Sequence, residues 1–323
     1  MKSVKKILVV TLSNIGDAVL TLPVMGALRA QYGEAEIDVV AGPRSAEVFV
    51  SDPRINKVYI YDKSAPLARK AGLMLELRKR RYDLLVDLRN SMFGFFSGAR
   101  ASNGPAKKKA GGAKHKTEEH LDRIRQLGID AKYAPFPVWI GKPDEEKARI
   151  LLRDKGISDD DRLICVSPGA KSHIKKWSEG GFAKACDMLA ASYKMKVVFV
   201  GDASEKETCQ RIINMMRSYS VSTAGFTNLR ELAWIIKRSS LLITNDSAPL
   251  HIAGSVGTPA VAIFGPTDPR RYGPREGAGI AISRKLHCSP CEAAQCRYNL
   301  ECMKSVTVEE VFDTAKRVLD AGK

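Results

Sequence analysis

The chain is predicted to fold as two doubly wound α/β domains facing each other across a cleft, and three observations carry that expectation. Short runs rich in Ile, Leu and Val alternate with helical patterns almost throughout, as parallel βαβ units require. YAPFPVWIGKP, at 133–143, packs three prolines into eleven residues, breaks the rhythm and marks a domain edge. With 323 residues there is chain enough for two separate cores.

In the first half the strand candidates are KILVVTL (6–12), EIDVVAG (36–42), KVYIYD (57–62) and YDLLVDL (82–88). MKSVKKILVVTL looks like the start of a signal peptide. No small-residue cleavage pattern follows it, and Ser13, Asn14 and Asp17 interrupt the apolar stretch, so it reads as the first core strand of a cytosolic protein. The second half offers LICVSPG (163–169), KVVFVGD (196–202), SVSTAG (220–225), LLITND (241–246) and AVAIFG (260–265). TVEEVFDTAKRVLDAGK (307–323) is a terminal amphipathic helix that Thr307 and Glu310 would open as a capping box. The expected divisions are 1–140, 141–306 and this helix, which is expected to cross back to the first domain.

Lys and Arg outnumber Asp and Glu by 52 to 36, which favours an anionic partner. Between Lys63 and Lys116 stand 14 basic residues against Glu76, Asp83 and Asp87. That segment ends in GPAKKKAGGAKHK (104–116), loop-like in composition, with Lys107, Lys108, Lys109, Lys114 and Lys116. Nucleic acid, an anionic membrane surface or a phosphorylated acceptor would each suit such a patch.

Four constellations can carry chemistry. After the first strand, TLSNIGDAVLTLP (11–23) turns into a helix, the place where α/β proteins bind anions. It has only Gly16 in the turn, lacks the Lys of a P-loop and places the carboxylate of Asp17 there. An acid repels phosphate, so Asp17 is either a helix cap or a group with another task. VSPGAKSHIKKWSEGGF (166–182) has the same form with a basic turn, where Lys171, His173, Lys175 and Lys176 precede a helix beginning near Ser178. Charge and helix dipole both favour phosphate there. LLITNDSAPLHIAGSVGTPAVAIFGPTDPRRYGP (241–274) places Asp246, Ser247 and Ala248 at a helix start, His251 one turn further in, and Thr267 after the next strand. Exposed amides, a hydroxyl and an imidazole together suit a diphosphate at the carboxyl edge of a sheet. Finally, Cys288, Cys291, Cys296 and Cys302 follow a C-x2-C-x4-C-x5-C spacing that predicts a closed, structural zinc site. Cys165, Cys186 and Cys209 fall on strand or helix patterns and read as core.

GDAVLTLP, PGA followed by KKW, NDSAPLHIAGSVGTP, FGPTDP and a Cys-rich tail ending in CM occur in this order over residues 5–320. In this the chain resembles glycosyltransferase family 9, the ADP-heptose heptosyltransferases of lipopolysaccharide core synthesis. The resemblance implies a GT-B fold with two Rossmann-like domains, an acceptor-binding domain followed by a nucleotide-sugar-binding one, and inversion without a catalytic metal or cofactor. It implies Asp17 as general base, Lys175 on the donor diphosphate with Lys176 as the alternative, and Asp246, Ser247 and His251 on donor phosphates and sugar. Two departures stand out: Ala248 replaces the family's Gly, and Ser178 replaces the Pro that usually follows the Trp.

The resemblance gives Asp17 a physical task. An acceptor hydroxyl must lose its proton as it attacks the anomeric carbon, and a carboxylate within reach takes it. The expected reaction is heptose transfer from ADP-heptose to a hydroxyl of an anionic lipopolysaccharide core acceptor. The five lysines of the loop would hold the acceptor, at the inner face of the cytoplasmic membrane. A GT-B enzyme with another nucleotide sugar or acceptor is the near alternative. A zinc-containing nucleic-acid-binding protein is the distant one, and it leaves Asp17, Lys175 and DSAPLH without a purpose. Nucleic acid is therefore not an expected partner.

Overall fold

The computed structural model describes residues 4–105 and 113–321. The chain divides into two compact units, Met1–Trp139 and Ile140–Lys323.

In the first unit the elements run β1 (Lys6–Val10), α1 (Ile15–Val19), α2 (Leu22–Gln31), β2 (Glu36–Ala41), β3 (Lys57–Ile60), α3 (Leu67–Arg80), β4 (Leu84–Asp87), α4 (Phe93–Phe96), β5 (Ala101–Ser102) and α5 (Lys116–Arg125). The strands form one parallel sheet in the order β3-β2-β1-β4-β5. The central strand KILVV is buried over Ile7–Val10, which is why its pattern is continuous and not alternating. A close approach requires Gly26, since a methyl group there would meet the Ala134 carbonyl oxygen at 2.4 Å.

The second unit runs α6 (Lys142–Asp154), β6 (Leu163–Ser167), α7 (Glu179–Tyr193), β7 (Lys196–Phe199), α8 (Lys206–Met215), β8 (Ser220–Ser222), α9 (Leu229–Arg238), β9 (Leu241–Asn245), α10 (Ala248–Val256), β10 (Ala260–Phe264), α11 (Pro269–Tyr272), β11 (Gly279–Ser283), α12 (Glu301–Lys304) and α13 (Val308–Ala321). Its sheet is parallel in the order β11-β10-β9-β6-β7-β8. The sequence reading missed β5 and β11. The first is two residues long, and the second, GIAIS, is only partly buried and carries a weaker apolar signal. Cys165, Cys186 and Cys209 are fully buried, as expected, and burial pushes their thiols up, that of Cys209 to about 12.

Val311, Ala315 and Leu319 of α13 belong to the core of the second unit, where the helix packs on α7, β9, β10 and β11. The Thr307 hydroxyl accepts from Glu310 N (3.2 Å), and the Glu310 carboxyl is held low first by the Arg284 guanidinium and also by the Thr307 backbone N–H, so both halves of the expected capping box are present and Arg284 is added to them. Among the described residues no helix is long and apolar enough to cross a membrane.

Candidate active site

In the second unit β6 and β9 are neighbours, with Ser167 beside Thr244, so the turns that follow them open at the same carboxyl edge. The strand order reverses between these two strands, which is where sheets of this kind bind ligands. Asn245 ties the two turns together. It is fully buried, its Oδ1 accepts from Trp177 N (3.0 Å), and its Nδ2 donates to Pro168 O (2.7 Å). Trp177 is fixed in turn by Nε1 donating to Val306 O (3.0 Å) and by edge-on packing against Phe182.

On this frame Lys175 Nζ donates to Asp246 Oδ2 at 2.5 Å. The Asp246 side chain is 7% exposed and that of Lys175 is 30%, so the pair is rooted in the protein with its cation toward solvent. An ammonium has three donors, and one is used here. Lys176 is exposed, and its charge adds to the Arg211 guanidinium in holding the Glu179 carboxyl low and opposes the rise that burial imposes on Glu205. The two lysines of KKW thus serve different surroundings. Lys171 and His173 are exposed in the same turn.

Glu205 was not anticipated. Its Oε1 lies where a methyl group on Gly169 would be, and its Oε2 would be 2.4 Å from one on Gly201, so both glycines make room for the carboxylate. Burial raises its pKa, against the opposing hydrogen bond from Asp202 N.

Ser247 occupies the N-cap of α10, but its side chain makes no capping bond. Its hydroxyl instead meets Thr244 Oγ1 at 3.1 Å, and Pro249, which has no N–H, stands in the first turn. Ser247, Ala248 and His251 are each partly exposed. Thr267 is 7% exposed and follows β10. The loop before it is braced by the cysteine segment: Ser289 Oγ donates to Gly265 O (2.7 Å), while Cys291 N and Glu292 N donate to Pro266 O (3.0 and 2.8 Å).

The four-cysteine zinc site is corrected. Among the described residues no three His, Cys, Asp or Glu side chains are grouped to hold a metal ion. Cys288, Cys291, Cys296 and Cys302 instead line the wall of one pocket of about 520 Å³. Cys302 is buried in α12, Cys291 is exposed, and Cys296 Sγ accepts from Tyr298 N and Leu300 N, both at 3.3 Å. Backbone bonds to Gly265 and Pro266, with His287 edge-on to Tyr298 at 4.6 Å, hold the segment's shape that the zinc was expected to supply.

In the first unit Asp17 lies in the first turn of α1, partly exposed, while Asn14 occupies the cap. Asn14 Nδ2 donates to Asp17 Oδ2 at 2.9 Å. The turn is packed closely: Ser45 Oγ donates to Leu12 O (2.6 Å), and a methyl group on Gly42 would lie 3.1 Å from Ser13 Cα. Behind it, α5 brings up His120, a second residue the sequence reading missed. Burial, and then the Lys116 charge, pushes its pKa from 6.5 down to about 4, although Glu119 and Asp17 pull it upward. His120 is therefore a neutral neighbour of Asp17 near pH 7.

That depression has a consequence for stability. Between pH 6.5 and about 4 the unfolded chain binds a proton that the folded one refuses, so stability is full above 6.5 and falls as pH drops through this window. The expected contribution is at most about 3 kcal/mol. Chemical denaturation at pH 7.5 and pH 4.5 should show the fall, and His120→Gln should reduce it by a comparable amount. An unchanged slope in that variant would assign the effect to other groups.

Of the five loop lysines, Lys107, Lys108 and Lys109 lie outside the described residues. Lys114 pairs with Asp122 (3.0 Å) and Lys116 with Glu119 (2.6 Å).

Residues 71–301 match the family model described as glycosyltransferase family 9 (heptosyltransferase). The chain is 27% identical over 283 residues to lipopolysaccharide heptosyltransferase 3 of Escherichia coli strain K12, covering 78% of this chain and 80% of that protein. The crystal structure of a glycosyl transferase family 9 protein from Veillonella parvula superposes with a TM-score of 0.85 at 24% identity, covering 99% of both chains. The structure of E. coli ADP-heptose lipopolysaccharide heptosyltransferase II gives 0.79 at 20% identity, covering 98% of this chain and 99% of that one. The two doubly wound units are those of the GT-B fold. With the family model spanning well over half of its length, the chain belongs to glycosyltransferase family 9, the heptosyltransferase family, and is a glycosyltransferase.

Proposed function

We propose that the chain transfers a heptose, with inversion, from ADP-heptose to a hydroxyl of an anionic lipopolysaccharide core acceptor. The observation that carries this reading is the Lys175–Asp246 pair at the point where the strand order of the second unit reverses, beside the N-terminus of α10. The similar E. coli proteins named above, which act in heptose transfer to lipopolysaccharide, support the donor and the acceptor class.

The second unit binds the donor. Lys175 gives its two remaining N–H donors to the diphosphate while Asp246 holds it in place. The Ser247 hydroxyl, the amide of Ala248, His251 and Thr267 add contacts, and the helix end stabilises the charge that builds on departing ADP. The methyl group of Ala248 leaves that amide intact. The first unit binds the acceptor and supplies Asp17. Asp17 takes the proton of the acceptor hydroxyl as its oxygen bonds to the anomeric carbon, and the bond from that carbon to the ADP oxygen breaks. One displacement of this kind inverts the anomeric centre. The basic segment from Lys63 to Lys116 supports an anionic acceptor and work at the cytoplasmic face of the membrane.

Incubating the purified protein with ADP-heptose or with UDP-sugars tests the reading. Saturable binding of ADP-heptose and acceptor-dependent release of ADP are expected. A preference for a UDP-sugar would keep the fold and the roles but replace the donor.

A further inference from the structure

We infer that the guanidinium of Arg89 is an anion receptor of the first unit, holding a carboxylate or phosphate of the acceptor at the sheet edge that also carries Asp17. The inference rests on the proposal that this unit binds an anionic acceptor, and it adds a residue that no motif singled out.

The position is the first observation. In the order β3-β2-β1-β4-β5 the strand order reverses between β1 and β4, and their ends lie side by side, with Val10 beside Asp87 and Leu88 N donating to Val10 O (2.9 Å). The turn after β1 leads to Asp17 and the turn after β4 presents Arg89, so the two flank the reversal where ligands of such sheets bind. The second unit has the opposite arrangement, with its cation, Lys175, after the first of the two strands and its acid, Asp246, after the second. There the two are paired. For Arg89 no such partner is found among the described residues.

The turn that carries Arg89 is held rigidly. The Asp87 carboxylate accepts from Arg89 N (2.9 Å), Ser91 N (2.6 Å) and Ser91 Oγ (2.8 Å). Asp87 O accepts from Asn103 Nδ2 and Arg123 Nη2, both at 3.0 Å, and Asp87 N donates to Asn103 Oδ1 (2.6 Å). Asp87 is thus committed to backbone and to Ser91, and its carboxylate does not pair with the Arg89 guanidinium.

The guanidinium itself is the third observation. Arg89 is only partly buried as a whole, but both of its terminal nitrogens are buried and have no hydrogen-bond partner among the described residues. The group lies 5.4 Å from the centroid of the Tyr61 ring, which packs edge-on against Phe93 at 5.1 Å. A ring face attracts a cation but satisfies none of its N–H donors. Arg123, buried in the same unit, places its nitrogens on Asp87 O and Gln126, so the fold does supply partners to a buried arginine where its role is structural. A buried, unpaired charge weakens a fold, and a planar fork of donors matches a carboxylate or phosphate in two-point contact. Such a group persists when a ligand completes it.

The test compares Arg89→Met and Arg89→Lys with the wild type in the full chain. Arg89→Met should melt no lower than the wild type, because it removes an unpaired buried charge and keeps an apolar stem. It should also raise the apparent acceptor KM at least about tenfold, the equivalent of one lost charge-assisted contact of about 1.4 kcal/mol, with ADP-heptose affinity unchanged. Arg89→Lys should fall between the two, keeping charge without the fork. Titration with glucuronate, glucose 6-phosphate and neutral glucose, read by thermal shift, tests the receptor without any transfer reaction. Stabilisation by a charged sugar and not by glucose, lost in Arg89→Met, is expected, and the stronger of the two charged probes tells carboxylate from phosphate. A lower melting temperature in Arg89→Met with KM unchanged would make Arg89 structural and overturn the inference. So would charged-probe binding that survives the substitution, or a wild type unmoved by either probe. A wild type that binds the charged probes through Arg89 but transfers no heptose would overturn the proposed reaction and leave the receptor standing.

Discussion

Asp17→Asn should lower turnover by about two to four powers of ten, the range a general base contributes, while the fold and donor affinity stay as they are. Asparagine keeps the size of the side chain, and its Oδ1 can still accept from Asn14 Nδ2, the bond seen at 2.9 Å. What it loses is the ability to take a proton from an attacking hydroxyl. Donor binding should survive because the residues proposed to hold ADP all belong to the second unit. Single-turnover rates measured with saturating ADP-heptose, together with the affinity for ADP and the melting temperature, separate these effects. A rate within about threefold of wild type would remove Asp17 from the chemistry and leave it as a polar residue of the first turn of α1, since tenfold corresponds to only about 1.4 kcal/mol.

Lys175→Ala should weaken ADP and ADP-heptose binding by about 10- to 100-fold, from loss of a charge-assisted contact of about 1.5–3 kcal/mol. The structure adds a second consequence. Asp246, whose side chain is 7% exposed, would be left without its 2.5 Å partner and would present an uncompensated carboxylate where the diphosphate is to sit. Asp246→Asn in the same chain should therefore recover part of the lost affinity, and a double-mutant cycle read by calorimetry measures the coupling. Lys176→Ala is the control. Its charge acts on Glu179 and Glu205, so its effect on donor affinity should be the smaller. The reverse ranking would exchange the roles of the two lysines.

The division of labour between sequence and tertiary structure follows from what each interaction depends on. KILVV, LICVS, LLITN and AVAIF are continuous apolar runs because parallel strands are buried on both faces, and such runs are legible without any knowledge of their neighbours. Asp17, Lys175, Asp246 and Ser247 were legible for a related reason: each stands where a strand passes into a helix, and that junction is written locally. The cysteine spacing was equally local, but spacing alone does not set the geometry of a metal site: the four thiols line one pocket, and among the described residues no three metal-ligating side chains are grouped to hold an ion.

Asn245, His120, Glu205 and Arg89 have no local signature at all. Asn245 matters through Pro168 and Trp177, residues some seventy positions away. His120 is held neutral by burial, and its place near Asp17 depends on how α5 packs. Arg89 was one of 14 basic residues in a crowded segment, and only the packing around β4 shows that its two terminal nitrogens are buried without a partner among the described residues. Periodicity and junctions are properties of neighbouring residues, so the sequence by itself determined the buried strands, most of the helices and which polar residues stand at the junctions between them. Burial and pairing are properties of distant residues brought together, and only the tertiary structure decided which buried polar groups are satisfied among the described residues and which are not.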